Sequence, residues 1–171
     1  MSLKQTLKKN RSQFIKQWFK ATIDTYPKDA ARVLGKDANR FDNPVGAVTR
    51  ETIEDVFDHL DESFSLASLE EKLDPLIRIR AVQSFTAAEA VGFVYRLKDI
   101  GAEILGEEQM LDFHRVVDQV ALAAFNRLMK CKEEIFLLKA TESKRRIHRA
   151  FERAGLVAEM SEEELIGTHK S

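Results

Sequence analysis

Four histidines, one cysteine and a dense run of carboxylates are the side chains whose types could support metal or nucleophilic chemistry. The histidines (His59, His114, His148 and His169) form no His-Glu-x-x-His or comparable local ligand spacing. Asp55-x-x-x-His59 and His114-x-x-x-Asp118 each put two ligand types on one helical face, a pairing that helical repeats produce by chance. Glu54, Asp55, Asp58, Asp61 and Glu62 would suit a di-metal bundle only beside Glu-x-x-His motifs on two helices. The chain has no such motif. Cys131 sits between Lys130 and Lys132 with no histidine near it in sequence, which reads as a packed thiol and not an activated nucleophile. No glycine-rich phosphate loop is present, since Gly92, Gly101 and Gly106 fall in or beside helical stretches. The expectation is a chain with no catalytic residues, no metal and no cofactor.

Helices are the elements that position these groups. Leu7, Phe14, Ile15, Trp18, Phe19 and Ile23 recur at helical spacing across residues 3–25, and Pro27 stops the run. After a polar link with Gly35 and Asn39, Asn43 caps a second helix that has Pro44 at its first position. Val45, Val48, Thr49, Thr52, Ile53, Val56, Phe57 and Leu60 form its apolar face, with Glu51, Glu54, Asp55 and Asp58 opposite. Asp74-Pro75 repeats the start signal, predicting a short helix through Leu76, Ile77 and Ile79 to about Gln83. Thr86-Ala87-Ala88-Glu89 is a capping box. It opens a helix through Val91, Val94, Leu97, Ile100 and Ile104 that ends at Gly106.

Residues 107–154 contain neither Gly nor Pro. A continuous helix there would be about 70 Å long, so the segment either breaks near residues 130–134 or runs through. Met110, His114, Val117, Ala121, Ala124, Leu128, Cys131, Ile135 and Leu138 advance by alternating steps of four and three. That is a heptad seam, either packed inside the chain or used as a dimer interface. Gly155 is the C-cap candidate. Residues 156–171 read as a tail, disordered or carrying a short helix from Ser161-Glu162-Glu163-Glu164.

The 171 residues include 27 Lys+Arg and 28 Asp+Glu, a net charge of −1 that argues against a nucleic-acid binder. The near-balance is segregated. Residues 1–23 carry six basic and no acidic side chains, and residues 51–74 carry nine acidic ones against Lys72. Residues 144–153 are basic again. No apolar run reaches the ~20 residues of a membrane span, and the N-terminus lacks a signal-peptide core. A cytoplasmic location is expected.

One segment has a recognisable signature. It reads Leu73-Asp74-Pro75-Leu76-Ile77-Arg78-Ile79-Arg80-Ala81-Val82-Gln83-Ser84-Phe85-Thr86, then Ala90-Val91-Gly92-Phe93 and Leu97-Lys98. Upstream lie Trp18, Thr25-Tyr26-Pro27 and Phe41-x-Asn43-Pro44-Val45-Gly46. In these residues the chain resembles the RsbRD N-terminal domain, the sensory module of RsbT co-antagonist proteins, over residues 13–151. The resemblance implies an all-α, single helical bundle domain across residues 1–155, with a long C-terminal helix. It further implies kinship with the haem-free, globin-like input domains of stressosome proteins. Such domains dimerise, work by protein–protein contact and signal through a C-terminal helix to a STAS output domain. No catalytic residues are implied. Too few residues follow the long helix for a STAS domain, so an input module without one is expected. A helical domain binding haem or another small ligand is the alternative, with His59 and His114 as its motivation.

Overall fold

In the computed structural model, which describes residues 1–36, 40–60 and 64–155, the first apolar stretch forms two helices and not one. These are α1 (Leu3–Lys9) and α2 (Arg11–Ile23). Between them Asn10 turns its side-chain amide back to donate to the Thr6 carbonyl at 2.9 Å. A polar side chain that competes for backbone groups in this way interrupts a helix that apolar spacing alone would continue. The stripe on α2 is as expected: Phe14, Ile15, Trp18, Phe19 and Ile23 are buried.

The stretch read as a polar link contains a further helix, α3 (Lys28–Leu34), which buries none of its residues. With no apolar stripe it gave no periodic signal. The helix after it, α4 (Pro44–Asp58), begins where expected. Asn43 Oδ1 accepts from Gly46 N at 2.9 Å, while Nδ2 donates to the Val33, Leu34 and Lys36 carbonyls at 3.3, 2.9 and 3.3 Å. One amide thus satisfies the open end of α3 and the open start of α4. A Cβ on Gly46 would lie 2.2 Å from that Nδ2 and 2.4 Å from the Leu34 oxygen. Glycine is therefore required at this approach.

Asp74-Pro75 does not start a helix, contrary to expectation. It lies inside α5 (Leu66–Val82), whose cap is Ser65, accepting from Ser68 N at 3.1 Å. An interior proline costs about 3 kcal/mol. The buried stripe of Leu69, Leu73, Leu76 and Ile77 continues across Pro75, and its burial offsets that cost. The stripe also continues to Arg80 and not to Ile79, which is only half-buried.

The Thr86 capping box forms as expected, but the helix it opens is short. After α6 (Ala87–Val91) comes a 3₁₀ turn, Gly92–Val94, and then α7 (Arg96–Ile104). The turn sends Phe93 and Val94 into the core. Trp18 Nε1 donates to the Phe93 carbonyl at 2.8 Å. Within α7, Gly101 leaves room for Phe113, whose Cε1 would be 2.4 Å from an added Cβ.

The last helix, α8 (Glu107–Arg153), runs through residues 130–134 without a break. Gly155 closes it at φ +67, donating to the Glu152 carbonyl at 3.0 Å. The tail signal at Ser161-Glu162-Glu163-Glu164, like Asp61, Glu62 and His169, lies outside the described residues. The chain divides into two compact units, Met1–Lys132 and Glu133–Ser171. In the first, the Phe14 ring meets Phe57 at 5.2 Å and Phe113 at 5.7 Å, which joins α2, α4 and the start of α8. The described residues are all-α with no strand. No helix among them is long and apolar enough to cross a membrane.

Gly46→Ala is expected to destabilise the chain by about 1–3 kcal/mol, the usual range for overpacking. A urea titration should show a lower midpoint with an unchanged slope, because the added methyl strains the folded state without altering the surface exposed on unfolding.

Candidate functional site

Arg80 is the one charged side chain among the fully buried core residues described. It stands on the apolar face of α5, a helical step beyond Leu76 and Ile77. Its Nε donates to the Ala90 carbonyl and its Nη2 to the Glu89 carbonyl, both at 2.9 Å. These are carbonyls of the last turn of α6, where backbone acceptors lack helical partners and a positive charge is favoured. Nη2 also donates to Thr25 Oγ1 at 2.9 Å, and that hydroxyl in turn donates to the Thr22 carbonyl at 2.7 Å.

Three rings enclose the guanidinium. The Phe85, Phe93 and Tyr26 centroids lie 4.4, 5.2 and 5.3 Å from Cζ. Cation–π attraction of this kind strengthens as water is excluded. Tyr26 stands edge-on to Phe85 at 5.2 Å, and its hydroxyl donates to Gln83 Oε1 at 3.0 Å. Phe93 stacks on Trp18 at 6.0 Å. Burial pushes the guanidinium below its usual value, partly countered by Tyr26 and Glu89. Nη1 has no hydrogen-bond partner among the described residues.

The residues that carried the resemblance fall into three groups. Trp18, Arg80, Gln83, Phe85 and Phe93 meet in the cluster above, and Thr86 caps the helix that supplies its two carbonyl acceptors. Asn43, Pro44 and Gly46 build the joint between α3 and α4. Asp74 pairs with Arg78 at 3.0 Å and with Arg127 of α8, while Pro75 is exposed inside α5. Sequence reasoning gave Arg80 no physical role, and it named Thr25 and Tyr26 only as carriers of the resemblance, without placing them beside Arg80. A charged residue on an apolar period was the available signal.

The seam residues of α8 divide by unit. Val117, Ala121, Ala124, Leu128 and Cys131 are buried, and Met110 and His114 are half-buried. In the second unit Ile135 is half-buried and Leu138 is 70% exposed. The seam missed the other large apolar residues that α8 exposes, Leu111, Leu122, Phe125 and Met129 in the first unit and Phe136, Leu137, Ile147 and Phe151 in the second.

The groups first considered for metal chemistry have other engagements. His59 Nδ1 donates to the Asp55 carbonyl at 2.7 Å, and Lys72 Nζ holds the Asp55 carboxylate at 3.0 and 3.2 Å. Asp118 pairs with Lys98 at 2.7 Å, and His148 with Glu152 at 3.2 Å. Arg11 holds Asp58 through two contacts of 2.5 and 2.7 Å, which lowers that carboxyl. Lys130, then Asn126, draws the Glu70 carboxyl down in the same way.

The family description "RsbT co-antagonist protein rsbRD N-terminal domain" matches residues 12–143. The chain belongs to this family, whose members are regulatory and typically non-enzymatic. No curated protein and no solved structure matches it.

Glu89 makes the capping box pH-dependent. Its carboxylate accepts from Thr86 N at 2.8 Å and Oγ1 at 2.9 Å, bonds that hold it below its ordinary 4.5. The unfolded chain therefore takes up this proton first as pH falls, so the bonds stabilise the fold above about 4.5 and lose that effect below it. Glu89→Gln keeps a capping-box residue but removes the charge. Its stability deficit in urea titrations is expected to be constant near neutral pH and to shrink as pH drops towards about 3.

Proposed function

We propose that this chain is the input module of a stressosome-type regulator, cytoplasmic, acting as a homodimer through protein contact and without catalysis. The observation that carries the reading is the run Phe136-Leu137-Leu138 on α8, exposed to 70, 59 and 70%. Three successive apolar residues span more than half the circumference of a helix. Such a surface marks a contact that excludes water. Family membership supplies the regulatory role, and it favours protein partners over nucleic acid.

In this reading the seam serves two purposes. Met110, Val117, Ala121, Ala124, Leu128 and Cys131 pack within the first unit. Ile135 and Leu138, joined by Phe136 and Leu137, meet the second copy. Helices that pair through positions of this spacing interlock side chains at each turn, so a movement of one helix is felt by its neighbour.

Light scattering of the whole chain at tens of micromolar should give the mass of a dimer. Phe136→Ser combined with Leu138→Ser should give a monomer whose far-UV circular dichroism is unchanged, since both positions are exposed. A wild-type chain that stays monomeric at those concentrations removes the homodimer. By contrast, Leu128→Asp should unfold the first unit, because Leu128 is only 1% exposed and an unpaired carboxylate there has no partner.

A further inference from the structure

Arg80 brings a positive charge into the core, and among the described residues no carboxylate forms an ion pair with it. The guanidinium's hydrogen bonds go to two carbonyls and a threonine hydroxyl, and Tyr26 and the Glu89 carboxylate offset the cost of its burial only in part. Nη1, with no measurable exposure, has no acceptor. Leaving a charged donor buried and unsatisfied is costly. In a native protein such a donor calls for an explanation beyond packing.

A groove of about 540 Å³ lies against this cluster, lined by Thr25, Tyr26, Gln83, Ser84, Phe85 and Glu89. That volume is in the usual range for a small-molecule site. Tyr26 and Phe85 are at once walls of the groove and rings of the guanidinium cage. Thr25 lines the groove and accepts from Nη2. Arg80 itself does not line the groove, and Tyr26 and Phe85 stand as the wall between the groove and its guanidinium.

We propose that this groove binds a small organic monocarboxylate with a flat apolar body. Its carboxylate neutralises Arg80 and accepts from Nη1, and its body lies against Tyr26 and Phe85. Nε and Nη2 are already engaged, so the carboxylate takes the Nη1 donor alone, in a charge-assisted hydrogen bond. Entry requires Tyr26 to give up its hydrogen bond to Gln83, and both of these residues are half-buried. Glu89 on the groove wall sets the charge limit. Its carboxylate is tied to Thr86 but keeps its negative charge, so a second anionic group on the ligand is repelled. Occupation would loosen the link between the ends of α2 and α5, which is a change a sensory module can use.

The proposal rests on the sensory reading, yet the two fail separately, because oligomeric state is read by scattering and occupancy by fluorescence. Trp18 is the only tryptophan, and its stacking partner Phe93 also faces Arg80. Titrating the full chain with sodium benzoate should give a saturable change in Trp18 emission and a rise in melting temperature. Benzamide, of the same shape without the charge, should give neither, and phthalate should bind at least about tenfold more weakly than benzoate. Inorganic phosphate should give no saturable change. Ser84→Glu alters an exposed groove residue. It should leave the unliganded melting temperature unchanged and weaken benzoate about tenfold. Arg80→Lys, where it folds, should weaken benzoate similarly, because the Nη1 donor is lost while the charge stays. The proposal is overturned by no saturable response below about 10 mM benzoate, by equal responses to benzamide or phosphate, or by a Ser84→Glu chain that binds as wild type.

Discussion

A guanidinium withdrawn from water needs acceptors in fixed places, and the arrangement around Arg80 follows from that need. The Glu89 and Ala90 carbonyls can reach Nη2 and Nε only because α6 stops after five residues. A helix continued through Gly92 would engage those carbonyls in its own ladder. The 3₁₀ turn that replaces it sends Phe93 inward, with its ring towards Arg80 and its carbonyl towards the Trp18 indole. Trp18 in turn belongs to the face of α2 that meets α4 and α8. One charge thus goes with the early end of α6 and the 3₁₀ turn that follows it, since a desolvated guanidinium needs those acceptors.

Much of this architecture could be read from the residues. The caps at Asn43 and Thr86 rest on local chemistry, a side-chain oxygen within reach of open backbone donors, and local chemistry survives folding. The apolar faces of α2 and α4 followed from period alone. The misread positions depend on distant partners. Pro75 resembles a helix start because proline suits a first turn, yet the stripe from Leu69 to Ile77 needs the helix on both sides of it. Asn10 and Gly92 interrupt helices for reasons that appear only when the amide or the Phe93 carbonyl has found its partner.

The site was half legible. The family signature contained Trp18, Arg80, Gln83, Phe85, Thr86 and Phe93, but no spacing rule says that residues 62 positions apart, such as Trp18 and Arg80, belong to one cluster. Arg78 and Arg80 look alike in sequence. Only the phase of α5, set by its true start at Ser65, puts one outside and the other in the core. The seam on α8 shows the converse limit. Its four-and-three rhythm is uniform from Met110 to Leu138, while burial changes beyond Cys131, so periodicity identifies a face and not what covers it.

The joint between α3 and α4 has a consequence for how the protein ages. Asparagine side chains are lost slowly when the nitrogen of the next peptide unit attacks the side-chain amide, closing a cyclic imide and releasing ammonia. That attack needs a nitrogen bearing hydrogen, and the next residue is Pro44, whose nitrogen has none. The Asn43 amide, which holds three carbonyls at once, is therefore shielded from this route to aspartate. Asn10, Asn39 and Asn126, each followed by an arginine, have no such protection. Slow chemical wear should show first at those positions, and the connection that fixes the start of α4 should outlast them.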